Sequence, residues 1–239
     1  MIAPSAPEPP TLAPVEGHLS YYLRHGLNPV CYEMADLERH LQRRASLYRA
    51  LGLSALSIRD RRVLEVAPGS GQNSLYIAAL QPRELVLIEP NPVAVRDIQQ
   101  HYSRCELPLS QPRLYESKFE DYLPNSQFDV VLCENWLGSS LHERSLLKRL
   151  AALTAEDGVL VVTTVSPVGI LPNVLRRALA VRLTNNQGDF ATRTCTLVAA
   201  FAPHLATLHG MTRTPIDWVQ DNMLNPAYFG LCLTIPMVM

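Results

Sequence analysis

Between residues 63 and 91 the chain concentrates side chains that can do chemistry. The stretch VLEVAPGSGQNSLYIAAL (63–80) sets Glu65, Ala67, Pro68, Gly69, Ser70, Gly71 and Asn73 between an apolar run and a helical pattern. Gly69 and Gly71 form the one close pair among eleven glycines. Without a Cβ they let the backbone approach a ligand, although a plain tight turn would use them equally well. A helix opening there offers unpaired N–H groups and the positive end of its dipole, which favours a carboxylate or phosphate. Eighteen residues beyond Gly71 stands Glu89. At a strand end such an acid can accept both hydroxyls of a ribose; it would also serve as a first-turn charge for the next helix. Glu65 lies just ahead of the loop, where a carboxylate would oppose a pyrophosphate but suit the ammonium of an amino-acid moiety. The third glycine of the dinucleotide fingerprint is absent, with Ser74 in its place.

Other candidates are scattered. His142, beside Glu143, follows the fourth apolar run and is the histidine best placed for a general base. His18 and His25 flank Tyr21 and Tyr22. The segment TRTPIDWVQDNMLNP (212–226) gathers Asp217, Trp218, Asp221 and Asn222. Residues 217 and 221 share a helix face, which suits an N-terminal capping region or a wall of an acceptor pocket.

These residues need elements to position them. Met34, Leu37, Leu41, Tyr48 and Leu51 recur at helical steps with arginines between them, and Gly52 marks the end. Apolar runs follow at Val63–Val66, Leu85–Ile88, Phe128–Cys133 and Val159–Val165, with a weak one at Arg113–Tyr115. Helical patterns separate them: Asn73 to Leu80, a helix capped by Asn91–Pro92, and His142 to Leu153. Glu156–Asp157–Gly158 reads as a turn. Strands alternating with amphipathic helices pair in parallel, because parallel strands need a crossover. The fold expected is a doubly wound, mostly parallel α/β sheet with helical additions at both ends. Ligands in such sheets lie beyond the carboxyl ends of the strands, where the unusual residues fall. Helices are expected at about 172–183, 192–206 and 215–224, and a last strand at Gly230–Val238.

The organisation read from this is a Pro-rich disordered tail over 1–16, a helical cap over 17–60, and an α/β cofactor domain over 61–239 with acceptor-side helices from about 166. The 47% hydrophobic content supports a real core. With 21 basic and 22 acidic residues, the net charge of −1 offers no field for a phosphate backbone, so nucleic acid is not the expected partner. No apolar run of about 18 residues exists, so no membrane helix is expected. Cys31, Cys105, Cys133, Cys195 and Cys232 show no CxxC spacing, which suits a reducing, cytoplasmic setting and no metal. Low charge is compatible with a homodimer.

Four motifs in order, Glu65-x-Ala67-x-Gly69-x-Gly71, LVLIEPNP (85–92), FDVVLCENWLG (128–138) and LTAEDGVLVVTT (153–164), make residues 61–165 resemble the class I S-adenosylmethionine-dependent methyltransferases. Ala67 replaces the family's first glycine, a departure that costs little while φ stays negative. The resemblance implies a Rossmann-like methyltransferase fold and S-adenosylmethionine as cofactor. The loop from Ala67 through Pro68, Gly69, Ser70 and Gly71 to Asn73 would take the methionine part, with Glu65 beside it. Glu89 would hold the ribose, and Pro90, Asn91, Lys118 and Phe119 would meet the adenine. Glu134, Asn135 and Trp136 would sit beside the sulfonium and acceptor, with His142 near them. Tyr21, Tyr22, His25 and Trp218 would line the acceptor pocket. The Asn/Asp-Pro-Pro-aromatic motif of amine-directed members is replaced by Glu134–Asn135–Trp136–Leu137, which leaves a small-molecule oxygen or nitrogen acceptor, as in specialised biosynthesis. A nicotinamide-dependent oxidoreductase and a non-catalytic cofactor- or partner-binding module are the competing readings.

Overall fold

The computed structural model describes residues 17–28, 30–32, 34–137 and 143–226. The stretch 1–16, His142 and the strand expected at Gly230–Val238 lie outside the described residues.

Among the described residues five strands form the sheet: β1 (Arg62–Val66), β2 (Glu84–Ile88), β3 (Arg113–Tyr115), β4 (Phe128–Cys133) and β5 (Thr154–Val162). Their order is β3-β2-β1-β4-β5, and every pairing is parallel. The central strands β2, β1 and β4 are buried nearly throughout, which is why they read as continuous apolar runs. Side-chain alternation divides them between two cores. Val63, Leu85, Leu87, Val130 and Leu132 pack on one face with Tyr48, Leu75, Ile77, Ile98 and Tyr102. Those partners come from α2 (Leu37–Ala50), α3 (Ser74–Ala79) and α4 (Pro92–Arg104). Leu64, Val66, Val86, Ile88, Val131 and Cys133 pack on the other face with Phe119 and with Leu146 and Leu150 of α5 (Glu143–Leu153).

β5 begins five residues earlier than the apolar run Val159–Val165. Its register jumps from Phe128↔Thr154 to Val130↔Val159, so the expected turn at Glu156–Gly158 is a bulge inside the strand. A Cβ on Gly158 would stand 2.9 Å from the carbonyl oxygens of both Ala155 and Asp129, which explains the glycine.

The helical additions form a third layer: α1 (His18–His25), α6 (Pro167–Thr184), α7 (Phe190–Ala206) and α8 (Pro215–Val219), which runs on into a π turn at Gln220–Leu224. Its core joins Tyr21 and Tyr22 of α1 to Leu197, Phe201, Trp218, Val219 and Met223. The wider spacing of the π turn leaves carbonyls free for other donors. Tyr21 Oη donates to the Gln220 carbonyl at 2.7 Å and Arg177 Nη1 to the Asn222 carbonyl at 2.8 Å. The stretch 17–60 therefore has two roles, α1 packing with the C-terminal helices and α2 covering the first sheet core.

Candidate functional site

The strand order reverses between β1 and β4, and the crevice beyond the carboxyl ends there is the place for a ligand. Three carboxylates mark it. Glu65 is the penultimate residue of β1, while Glu89 and Glu134 directly follow β2 and β4, its two neighbours. Glu89 is 3% exposed. Its Oε2 accepts from Gly69 N–H at 3.0 Å and its Oε1 from Asn91 N–H at 2.9 Å. Burial pushes its carboxyl up to about 7, and those two N–H donors hold it from rising further.

The loop after β1 turns on three left-handed residues: Ala67 (φ 55°), Gly69 (φ 58°) and Gly71 (φ 72°). The expectation of a negative φ at Ala67 is thus corrected. An alanine there costs roughly 1–2 kcal/mol, strain of the kind that persists when the surroundings fix it. Gly71 answers to packing: a Cβ would come within 2.6 Å of Ile98 Cγ1 on α4. The loop is clamped from the N-terminal side. The Gln72 amide pairs with the Tyr32 backbone, accepting from its N–H at 2.6 Å and donating to its carbonyl at 2.8 Å. Ser70 Oγ donates to the same Gln72 oxygen at 3.1 Å. His40 Nε2 lies 3.1 Å from the Gln72 carbonyl and His101 Nδ1 2.8 Å from that of Ser70. Asn73 precedes α3 with helical angles and no side-chain cap.

Glu134 meets a cation that the sequence does not single out, and Glu65 lies within its electrostatic reach. Arg44 of α2 donates through Nη2 to both Glu134 oxygens, at 2.6 and 2.8 Å, and Tyr48 Oη donates to Oε1 at 2.7 Å. Burial works against the Arg44 charge, but Glu134 outweighs it and raises the guanidinium pKa. Burial, then the Glu134 charge, raises that of Tyr48. Glu65 is 5% exposed, and its Oε2 has no hydrogen-bond partner. Burial lifts its carboxyl to about 7; the nearby Ser74 hydroxyl counters this without reaching hydrogen-bond geometry, and the Glu134 charge adds to it. The buried face of α2 is His40, Arg44 and Tyr48, while Leu51, expected on the inner face, is exposed. The i, i+4, i+8 spacing of these three was the available signal. Arg39, Arg43 and Arg49 on the same helix look no different in sequence.

The remaining expected residues separate. Pro68 and Pro90 are half-buried. Asn91 caps α4, accepting from Val93 N–H at 3.0 Å, and its amide donates to the Leu27 carbonyl at 2.8 Å. Lys118 is exposed, while Phe119 is buried and meets the half-buried Trp136 edge-on at 6.0 Å. Asn135 is exposed with φ 59°. Tyr21, Tyr22 and Trp218 are buried in the third core. Tyr22 Oη donates to Asp221 Oδ1 at 2.6 Å, and His25 stacks on Phe190 at 3.9 Å. In this arrangement the four aromatic residues hold the helical layer together.

The site suits a nucleoside carrying an amino acid: a buried acid for a diol, a backbone loop bent for close approach, and an unpartnered carboxylate at β1. A family model described as a methyltransferase domain matches residues 37–200, well over half of the chain. The chain belongs to the class I S-adenosylmethionine-dependent methyltransferases. This methyltransferase meets the expectations of a Rossmann-like fold and of S-adenosylmethionine as cofactor. Among solved structures it is similar to the N-methyltransferase NodS from Bradyrhizobium japonicum WM9 in complex with S-adenosyl-L-homocysteine, with 19% identity over 62% of this chain and 72% of that one, at a TM-score of 0.47. It is also similar to CcbJ from Streptomyces caelestis, with 20% identity over 52% and 49% of the two chains, at 0.44. PKMT2 from Rickettsia typhi gives 15% over 65% and 30%, at 0.46. The methyltransferase spans about half the length of the CcbJ chain. No curated protein matches it.

Proposed function

We propose that this chain transfers a methyl group from S-adenosylmethionine to an oxygen or nitrogen of a small-molecule metabolite, in a cytoplasmic biosynthetic setting. The observation that carries the reading is the row of Glu89, Glu65 and Glu134 at the ends of three adjacent strands, beside the strained loop. Glu89 would take the ribose, exchanging Gly69 N–H for the hydroxyls. The backbone from Ala67 to Gly71, with Glu65, would take the amino-acid end. Pro90, Asn91, Lys118 and Phe119 would border the adenine. When bound, the cofactor supplies a methyl group on a good leaving group.

The protein's part is then alignment of the acceptor and exclusion of water. Glu134, Asn135 and Trp136 border that space. Glu134 is engaged by Arg44 and Tyr48, so it orients its neighbours rather than taking a proton. His142 would serve as base for an alcohol acceptor, and a carboxylate acceptor would need none. A net charge of −1 favours a small molecule over a nucleic acid. Cys31, Cys105, Cys133 and Cys195 are free, in keeping with a reducing compartment.

Calorimetry with S-adenosylmethionine, S-adenosylhomocysteine and NAD tests the reading. Binding of the two sulfur compounds and not of NAD is expected. No binding of either at high micromolar concentration would sink it. Binding without turnover on an acceptor panel would favour a non-catalytic module.

A further inference from the structure

The helix α6 is amphipathic in the inverted sense. Apart from Ile170, the residues it turns toward the helical layer are polar or small: Asn173, Arg176, Arg177, Ala180 and Thr184. Arg177 Nη1 donates to the Asn222 carbonyl at 2.8 Å. Arg176 Nη1 donates to Asn173 Oδ1 at 2.9 Å, and its guanidinium lies over the Trp218 ring. The apolar side chains stand on the opposite face. Val168, Leu171, Leu175, Leu179 and Leu183 are 44–80% exposed. Their three- and four-residue steps keep them on one stripe, which Val174 and Val181 flank. Among the exposed residues of α6, Arg182 alone is charged. A surface helix with no partner outside its own chain shows the reverse pattern, apolar inward and polar outward.

The chemistry of the face selects its partner. The seven apolar side chains expose on the order of 600 Å², the upper end for a monomer's largest apolar patch and most of the about 800 Å² per partner that a standard interface buries. A helix lying on a membrane carries lysines and arginines along its polar face for anionic headgroups. α6 has no lysine, and Arg176 and Arg177 are held inward. Nothing on the stripe repels a copy of itself. The stripe is also its own complement. About a twofold axis at Leu175, near the middle of the 18-residue helix, antiparallel pairing sets Leu171 beside Leu179 of the partner subunit. Val168 then meets Leu183 of the partner subunit, and Arg182 falls at the end of the seam, where its charge stays in water.

We propose that the outer face of α6 is the seam of a homodimer, two copies packing antiparallel about Leu175.

Sedimentation equilibrium on the full chain tests it. Wild type should sediment at twice the chain mass at low micromolar concentration. Leu175→Asp should raise the dimer dissociation constant by about 100-fold or more, the effect of losing a central apolar anchor from both copies. Its thermal melt by circular dichroism should show a folded chain, because the side chain faces away from the chain's own core. Leu56→Asp, at a leucine 73% exposed elsewhere on the molecule, should leave the dimer intact. A wild type still monomeric at high micromolar concentration would overturn the proposal. If that monomer floats with phosphatidylglycerol vesicles, the face belongs to a membrane instead. A dimer that Leu175→Asp leaves unchanged, or that Leu56→Asp weakens equally, would overturn it too. Should Leu175→Asp not fold, Leu175→Cys carries the test. Mild oxidation should then link two copies through the dyad, well beyond any linking of wild type or Leu56→Cys, and equal linking in all three refutes the seam.

Discussion

Two arginine-centred clusters are built from nearly the same parts. In the helical layer Arg213 donates from Nε to Asp217 Oδ2 at 2.6 Å, from Nη1 to Asp221 Oδ2 at 2.8 Å, and from Nη2 to the Asp217 carbonyl at 3.1 Å. Tyr22 Oη donates to Asp221 and in turn accepts from Asn225 Nδ2 at 3.1 Å. At the sheet end, Arg44, Glu134 and Tyr48 repeat the motif of guanidinium, carboxylate and phenol. The difference lies in saturation. Each nitrogen of Arg213 has a partner, whereas Arg44 Nε and the neighbouring Glu65 Oε2 have none. A closed network fixes one arrangement, and here it joins α1 to α8. An open one keeps unspent hydrogen-bonding capacity, which is what a ligand needs. We therefore assign the first cluster to stability and propose the second for binding.

The largest effect should come from breaking the closed cluster. Arg213→Met leaves the buried Asp221 and the half-buried Asp217 without their cation, and denaturant unfolding should show a loss of about 3–5 kcal/mol. A loss under 1 kcal/mol would remove the distinction between the clusters. At the sheet end the damage should fall on ligand affinity. Glu89→Ala should weaken S-adenosylhomocysteine by roughly 1.5–3 kcal/mol in calorimetry while the protein stays folded, because hydrogen bonds to a charged group are lost. Unchanged affinity would refute the ribose assignment.

Acidity sharpens the contrast. Glu89 and Glu65 are lifted to about 7 by burial, and both must be ionised to serve a diol and an ammonium. Affinity for S-adenosylhomocysteine should therefore fall as pH drops below 7, by about tenfold per unit for each proton taken up. Glu89→Gln should flatten part of that slope; a wild-type profile flat from pH 5.5 to 8 would contradict it. Stability without cofactor moves the other way. Between the ordinary carboxylate range and pH 7 the folded chain holds more protons than the unfolded one, so these two groups stabilise less as pH rises through that window. The smallest effect should be Ala67→Gly, which relieves the left-handed alanine. After the entropy a glycine adds to the unfolded chain, thermal melting should show a gain of up to about 1 kcal/mol. A clear loss would mean the strain is not there.

Much of the sheet was legible because it is local. Val63–Val66, Leu85–Ile88 and Phe128–Cys133 are apolar on both faces, as central parallel strands require, and the Asn91–Pro92 cap begins α4 as expected. Other features were hidden. α1 is only eight residues long, and its buried tyrosines are explained by the C-terminal layer. Arg44 is one of several arginines on α2, and only docking decides which one faces inward. Gly71 looked like a ligand-facing glycine, yet the close approach it permits is to Ile98.

The sequence alone determined the alternation of strands and helices. With it came the placement of Glu65, Glu89 and Glu134 at strand ends, because a strand and the loop that follows it are set by neighbouring residues. Tertiary structure decided what those acids face. Arg44 and Glu134 are 90 residues apart, and Tyr22 and Asp221 are 199 apart. Burial sets the acidity of Glu65 and Glu89, packing against α4 requires Gly71, and the assembled loop holds Ala67 at a positive φ. Each depends on groups brought together only when the sheet closes over its helices, and so none is written in any single stretch of the chain.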